Sequence, residues 1–195
     1  PRKLFMERKL MIYSIGTEIH FTNPVTKESM EELIHLTGEV IAYEFEKDDE
    51  SKVTLSFIFD TPGGDLEAAF KFVDYLRMCE GKYKNLKTIG IITGQVASAG
   101  TLICAFMDKC FMTKYASAMI HELSTGSGYS VQYTHIQSRA ERAKMLHNSL
   151  VDIYLDRVKR SGKELRREEL EKLLKDETWC TAEQYLEYGF IDEIK

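Results

Sequence analysis

The chain has 195 residues, 44% of them hydrophobic and 29% charged, with three Pro and twelve Gly. That is enough to bury roughly 70% of the surface an unfolded chain of this size exposes, which excludes disordered, collagenous and staple-dependent mini-protein classes. A net charge of −5, with acidic and basic residues interspersed, leaves no basic block for a phosphate backbone, so nucleic acid is excluded as the main partner.

In chain order, residues 9–14 (KLMIYS) predict a short strand closed by Gly16, and residues 29–45 carry Met30, Leu33, Ile34, Val40 and Ile41 at helical spacing. Residues 53–59 (VTLSFIF) read as a buried strand ended by the turn Asp60-Thr61-Pro62-Gly63-Gly64. Residues 66–78 follow as an amphipathic helix with Leu66, Ala69, Phe70 and Val73 in one stripe. A second buried strand covers residues 86–93, Gly94 to Gly100 form a small-residue turn, and residues 101–107 continue as a helix. Residues 109–113 and 117–120 are short strands, the latter ending at His121. Strands alternating with helices predict an α/β fold, a parallel sheet with crossover helices.

The polar segment from Ser124 to Tyr129 reads as a flexible loop. A long helical pattern follows over about residues 131–160, in which Ile136, Ala140, Ala143, His147, Leu150, Tyr154 and Val158 recur every three or four positions. At 1.5 Å per residue such a helix reaches roughly 45 Å, more than one small domain covers, so part of it is expected to pack on another subunit. Ser161-Gly162 end it, a charged helix covers residues 164–175, and residues 176–179 lead into 182–188 and a final strand-like Phe190-Ile191. With no repeat, low-complexity tract or linker, residues 1–195 are expected to form one domain.

Cys79, Cys104, Cys110 and Cys180 are scattered without a CxxC pair or a His at ligand spacing, which predicts reduced thiols and no metal site. No apolar run approaches the ~18 residues that span a bilayer, and the charged start PRKLFMERKL is unlike a secretory leader. A cytoplasmic protein with no membrane partner is the expectation.

Three features carry chemistry. Ser98, in GQVASAG, sits where a sharp strand-to-helix turn would lift a nucleophilic Oγ out of the fold and place free N–H groups beside it. Taken alone, a serine in a Gly/Ala-rich turn is more often a cap or a packing residue. The segment Asp60 to Asp65 ends a buried strand, where α/β sheets bind ligands, although an ordinary turn with Asp65 as helix cap explains it equally well. His121 ends an apolar strand, where its ring could face the rim that holds Ser98; His20, His35, His135 and His147 read as structural or surface residues.

Together, DTPGG (60–64), GQVASAG (94–100), MIHEL (119–123), ETWCTA (177–182) and EYGFIDEI (187–194) resemble the ClpP family, the proteolytic subunits of the Clp protease. Its members read roughly NSPGG, GQAASMG, MIHQP, an aromatic segment closed by [ST]A, and EYGLID in the same order. The resemblance implies a ClpP/crotonase-like fold with a protruding handle helix, and a serine endopeptidase without metal or cofactor. It implies Ser98 as nucleophile, His121 as general base, and the backbone N–H groups of Gly64 and Ala99 as oxyanion hole. At the position of the family's third residue, an Asp, this chain has Glu177, with Asp176 as its rival. Ala99 in place of Met, Asp65 of Ser and Leu123 of Pro are departures similar to those of divergent phage-type Clp-like relatives.

The family further implies a homo-oligomer of two stacked heptamers with the serines inside. Peptides or unfolded chains would be the substrates, cleaved after an apolar residue and fed by an AAA+ unfoldase. Few residues precede the first predicted strand, so docking of that ATPase is expected to be altered or absent. The alternatives are a catalytically silent structural or regulatory subunit and a crotonase-type acyl-CoA enzyme. A membrane-bound Ser-Lys protease of the signal-peptide-peptidase type is disfavoured by His121 and by the missing apolar span.

Overall fold

Every second residue of the run Val53–Thr61 is buried, and this strand forms the middle of the fold. The computed structural model describes residues 12–47, 52–124 and 133–195. In chain order the elements are β1 (Ile12–Ile15), β2 (Glu18–Phe21), α1 (Lys27–Lys47), β3 (Val53–Thr61), α2 (Leu66–Lys82), β4 (Leu86–Ala97) and α3 (Ala99–Phe106). They continue as β5 (Lys109–Met112), β6 (Ser117–Ile120), α4 (Tyr133–Arg160), α5 (Arg167–Lys175), β7 (Thr178–Thr181), α6 (Ala182–Glu187) and β8 (Glu193–Ile194). The sheet runs β1-β2-β3-β4-β5-β8, with β6 paired to β4 and β7 to β6. The β2, β3, β4, β5 and β8 pairs are parallel, and β1–β2 and β6–β7 are antiparallel. The predicted α/β class with crossover helices is the observed one. None of the helices among the described residues is long and apolar enough to cross a membrane.

Strand β4 changes partner along its length. Its first part pairs with β5, from Ile89 to Ile92, and its last residues, Gln95 to Ala97, pair with β6. Between them the β3–β4 register slips at Phe59/Thr61, and Gly94 takes φ 68°. Thr93 Oγ1 donates to Phe59 O (3.3 Å) and Gln95 N–H to Asp60 Oδ1 (3.1 Å), which fixes this bulge. The Gly94–Gly100 stretch predicted as a turn is therefore strand as far as Ala97, because β6 supplies a ladder to residues too small to signal one.

The C-terminal region departs from expectation in a second place. Phe190 and Ile191, read as strand-like, are buried but form no strand; Phe190 packs its ring on Tyr154 and Tyr185, at 5.5 and 4.9 Å between centroids. The strand is Glu193–Ile194, which pairs with β5. Strands β2 and β7 were not predicted, and residues 9–11, 125–130 and 131–132 of the predicted first strand, polar loop and long helix lie outside the described residues.

Helix α4 is rooted at its C-terminal end. Leu150, Val151, Tyr154 and Val158 are buried, whereas Ile136 and Met145 are more than half exposed. The root also contains Arg157, fully buried, paired with the Asp192 carboxylate. Asp192 accepts as well from Cys110 N–H (2.8 Å) and Lys109 Nζ (3.2 Å). Burial alone would raise the Asp192 carboxyl, but the Cys110 N–H and the Arg157 guanidinium overcome it and hold it below its ordinary value. Arg160 donates to Ala105 O (2.6 Å) and Met107 O (2.7 Å), satisfying carbonyls that the end of α3 leaves open.

Removing one partner of a buried ion pair strands the other charge, so Asp192→Asn is expected to destabilise the fold by about 3–5 kcal/mol at neutral pH in urea unfolding. A depressed carboxyl stabilises the fold above its unfolded pKa, and that contribution is lost as pH falls through the folded one. The gap between wild type and variant should therefore narrow below about pH 4; a gap independent of pH would show that the ionised pair contributes nothing.

Candidate active site

Ser98 occupies the junction of β4 and α3 with φ 53° and ψ −129°, a conformation that costs a non-glycine residue energy and lifts its side chain from the chain path. Its N–H donates to Met119 O on β6 (2.8 Å), tying the turn to the neighbouring strand. Small residues let the end of β3 come close. A Cβ on Gly100 would stand 2.5 Å from Thr61 Cγ2, and one on Gly63 would stand 2.3 Å from Ala97 O and 2.7 Å from Ser98 Cβ. Gly63 is thus required by backbone approach, and Gly100 by the buried Thr61 side chain.

His121 follows β6, the strand to which Ser98 is tied, and its Nε2 lies 2.7 Å from Ser98 Oγ. For the hydroxyl to donate in this contact, Nε2 must be unprotonated, which puts the neutral ring's proton on Nδ1. Both side chains are half-buried. Gly64, φ 145°, is held from the segment before α1: Val25 N–H donates to Gly63 O and Asp65 N–H to Val25 O, each at 2.8 Å. This bridge uses the groups on either side of Gly64 and leaves its own N–H without an acceptor among the described residues. Ala99 opens α3, so its N–H has no acceptor within the helix. Asp65 caps α2, its carboxylate accepting from Glu67 N–H (2.9 Å) and Ala68 N–H (3.1 Å).

The structure brings Ser98, His121, Gly64 and Ala99 to one cavity of about 1120 Å³. The opposite wall is α4, which contributes Ile136, Ala140, Ala143, Leu146 and Leu150. An ion pair between Arg142 of α4 and Glu67 of α2 joins the two sides, a contact that residues 75 positions apart do not announce in sequence. Val25, which fixes the glycine pair, is likewise unmarked by any motif.

Asp176 and Glu177 lie where α5 gives way to β7. The β6–β7 ladder ends at the Ile120–Thr178 pair, and His121 and Glu177 are the next residues beyond it on the two chains. Glu177 takes φ 51°, and its N–H donates to Leu174 O (3.3 Å). Glu122 N–H donates to the same carbonyl (2.9 Å), so the end of α5 and the chain at His121 share one acceptor. Asp176 closes α5. Both carboxylates are exposed, and among the described residues no hydrogen bond or ion pair joins either to His121.

The chain matches the family described as Clp protease over residues 9–195. It is similar to the ATP-dependent Clp protease proteolytic subunit 1 of Chlamydia trachomatis, 27% identical over 191 residues, 97% of this chain and 90% of that protein. The subunit 1 of Chlamydia abortus is 29% identical over 140 residues, 71% of this chain and 68% of that protein. The ATP-dependent Clp protease proteolytic subunit of Streptococcus thermophilus is 32% identical over 137 residues, 69% and 65% of the two chains.

A Cβ on Gly64 would stand 2.2 Å from Val25 O at a φ that side chains rarely adopt. Gly64→Ala is therefore expected to lower stability by about 1–3 kcal/mol, read as a fall of about 2–4 °C in Tm per kcal/mol. An unchanged Tm would mean that the Val25 bridge is not rigid.

Proposed function

The chain belongs to the Clp protease family, and from that premise we propose how its residues divide the work of a serine peptidase. It is a serine-type peptidase subunit of the Clp system. A peptide amide resists hydrolysis because its carbonyl is a weak electrophile and its amine a poor leaving group. In our reading Ser98 Oγ attacks the carbonyl carbon while His121 Nε2 takes its proton, and the C=O π pair moves onto oxygen. The Gly64 and Ala99 N–H groups then hold the oxyanion, each such donor lowering the barrier by about 3–4 kcal/mol. The imidazolium returns its proton to the amine as the C–N bond breaks, and a water repeats the sequence to release the acyl group.

The observation that carries this reading is the 2.7 Å Ser98–His121 contact at a strained turn beside two uncommitted N–H groups. The same contact disfavours a catalytically silent subunit. Glu177 is our third residue, orienting the imidazole through Nδ1; its support is that it and His121 are the residues next to the Ile120–Thr178 pair on the two chains.

We further assign the whole chain to one proteolytic-subunit domain that works as a homo-oligomer, two stacked heptamers taking peptides or unfolded proteins from an AAA+ unfoldase. Exposed Ile136 and Met145 on α4 support an apolar face that another subunit covers. Four free, buried cysteines support a reducing compartment such as the cytoplasm.

Ser98→Ala is expected to lower hydrolysis of a short fluorogenic peptide by about a thousandfold or more. A fluorophosphonate should label wild type at Ser98 by mass, with particle mass giving the assembly. Unchanged hydrolysis in the variant, or label on another residue, would refute the nucleophile. Glu177→Gln is expected to lower kcat by at least about tenfold, with Asp176→Asn within about twofold of wild type; the reverse order would make Asp176 the partner of His121.

A further inference from the structure

The nucleophile turn is tied to α4 through two buried hydroxyls that no sequence motif marks. Thr101 Oγ1, fully buried in α3, lies 2.5 Å from Ser98 O and 2.5 Å from Tyr154 Oη, whose side chain is 1% exposed in the root of α4. The direction of the chain of bonds follows from proton counting. A threonine hydroxyl has one proton, and the carbonyl of Ser98 can only accept, so Thr101 donates to Ser98 O and Tyr154 O–H donates to Thr101. Burial pushes the Tyr154 phenol far above its ordinary range, so the donor keeps its proton at every pH at which the enzyme works.

What this holds is an amide plane. The Ser98 carbonyl and the Ala99 N–H belong to one planar trans peptide and point in opposite directions, so fixing the oxygen fixes the N–H. Ser98 O also accepts from Thr101 N–H (3.0 Å), and the two donors together leave that plane little freedom to rotate. The strained φ and ψ of Ser98 make the restraint necessary, because the turn would otherwise relax toward ordinary torsions and re-aim the N–H.

We propose that Thr101 and Tyr154 are positioning residues for catalysis: the Tyr154–Thr101–Ser98 hydroxyl relay aims the Ala99 N–H at the oxyanion and couples that aim to the seating of α4. This role rests on the reading of Ser98 as nucleophile and Ala99 as oxyanion donor. It also gives a purpose to two polar side chains buried among Leu102, Ile103, Val151 and Val158 of α3 and α4.

The test is steady-state kinetics on a short fluorogenic peptide, with fluorophosphonate labelling of Ser98 and thermal melting run in parallel. Thr101→Val keeps the shape and removes the hydroxyl, and should lower kcat by about tenfold with KM unchanged, because the oxyanion forms only on the way through the transition state. Tyr154→Phe leaves Thr101 free to donate and should cost less, about threefold in kcat. Thr101→Ser, which restores the hydroxyl, should recover most of the rate lost in Thr101→Val. The double variant Thr101→Val/Tyr154→Phe should be no slower than Thr101→Val alone, since the two act in series.

A kcat unchanged in Thr101→Val, or equally reduced in Thr101→Val and Thr101→Ser, overturns the relay. So does a loss that appears in KM alone, which would place the pair in substrate binding. If wild type hydrolyses the peptide but is labelled elsewhere than Ser98, the nucleophile assignment fails first, and the relay with it.

Discussion

The site depends on one backbone constraint: β4 must serve two neighbouring strands in succession and then reverse into a helix within a single residue. The Gly94 bulge lets it leave β5 and join β6, and Ser98 makes the reversal at positive φ. Because β6 is also the strand that leads into His121, the same ladder that steers the serine brings the imidazole alongside it. The contact between them is thus a product of strand register, which slips only in whole residues, and not of loop placement. Gly63, Gly64 and Gly100 are the price of drawing β3, the Val25 segment and the turn into the same few ångströms.

Sequence disclosed the parts of this arrangement that short-range chemistry demands. Apolar, β-rich composition marked β3 and the start of β4, the stripe from Leu66 marked α2, and small residues around Ser98 marked a sharp turn. It failed where a neighbour decides the conformation. Residues 94–97 have the composition of a turn, yet Gln95 to Ala97 are strand because β6 pairs with them and β3 with Val96. Thr178–Thr181 is too short to show a period, and Phe190 satisfies its burial against Tyr154 and Tyr185 without joining a ladder. The pairings of Thr101 with Tyr154, Arg157 with Asp192 and Glu67 with Arg142 span 53, 35 and 75 positions, and no local pattern encodes them. Glu177 is intermediate: counting along the chain singles it out, the β6–β7 ladder stops one residue short of it, and its φ of 51° has no signal in the sequence.

Helix α3 is gripped at both ends by α4. At its C-terminus Arg160 takes the open carbonyls of Ala105 and Met107, and at its N-terminus Tyr154 reaches Thr101. Cationic groups at that end complement the helix dipole, whose positive end faces the Ser98 turn. The core contact between the two helices and the electrostatics of the turn are therefore one structural unit, and the buried Arg157–Asp192 pair extends it to β5 and the chain's C-terminal segment.

The same rooting gives the cleft a mechanical gradient. Along α4 the wall residues Leu150, Leu146 and Ile136 stand four, eight and eighteen positions from Tyr154, at lever arms of about 6, 12 and 27 Å. A tilt of about 5° about the root would shift them by roughly 0.5, 1 and 2.4 Å at that rise per residue. In a lone subunit the wall near Leu150 would be held by the core and the wall near Ile136 only by the Glu67–Arg142 ion pair; in the proposed assembly the subunit packed on α4 would hold that far end, so the shape of this end of the groove would be set by assembly as well as by the chain.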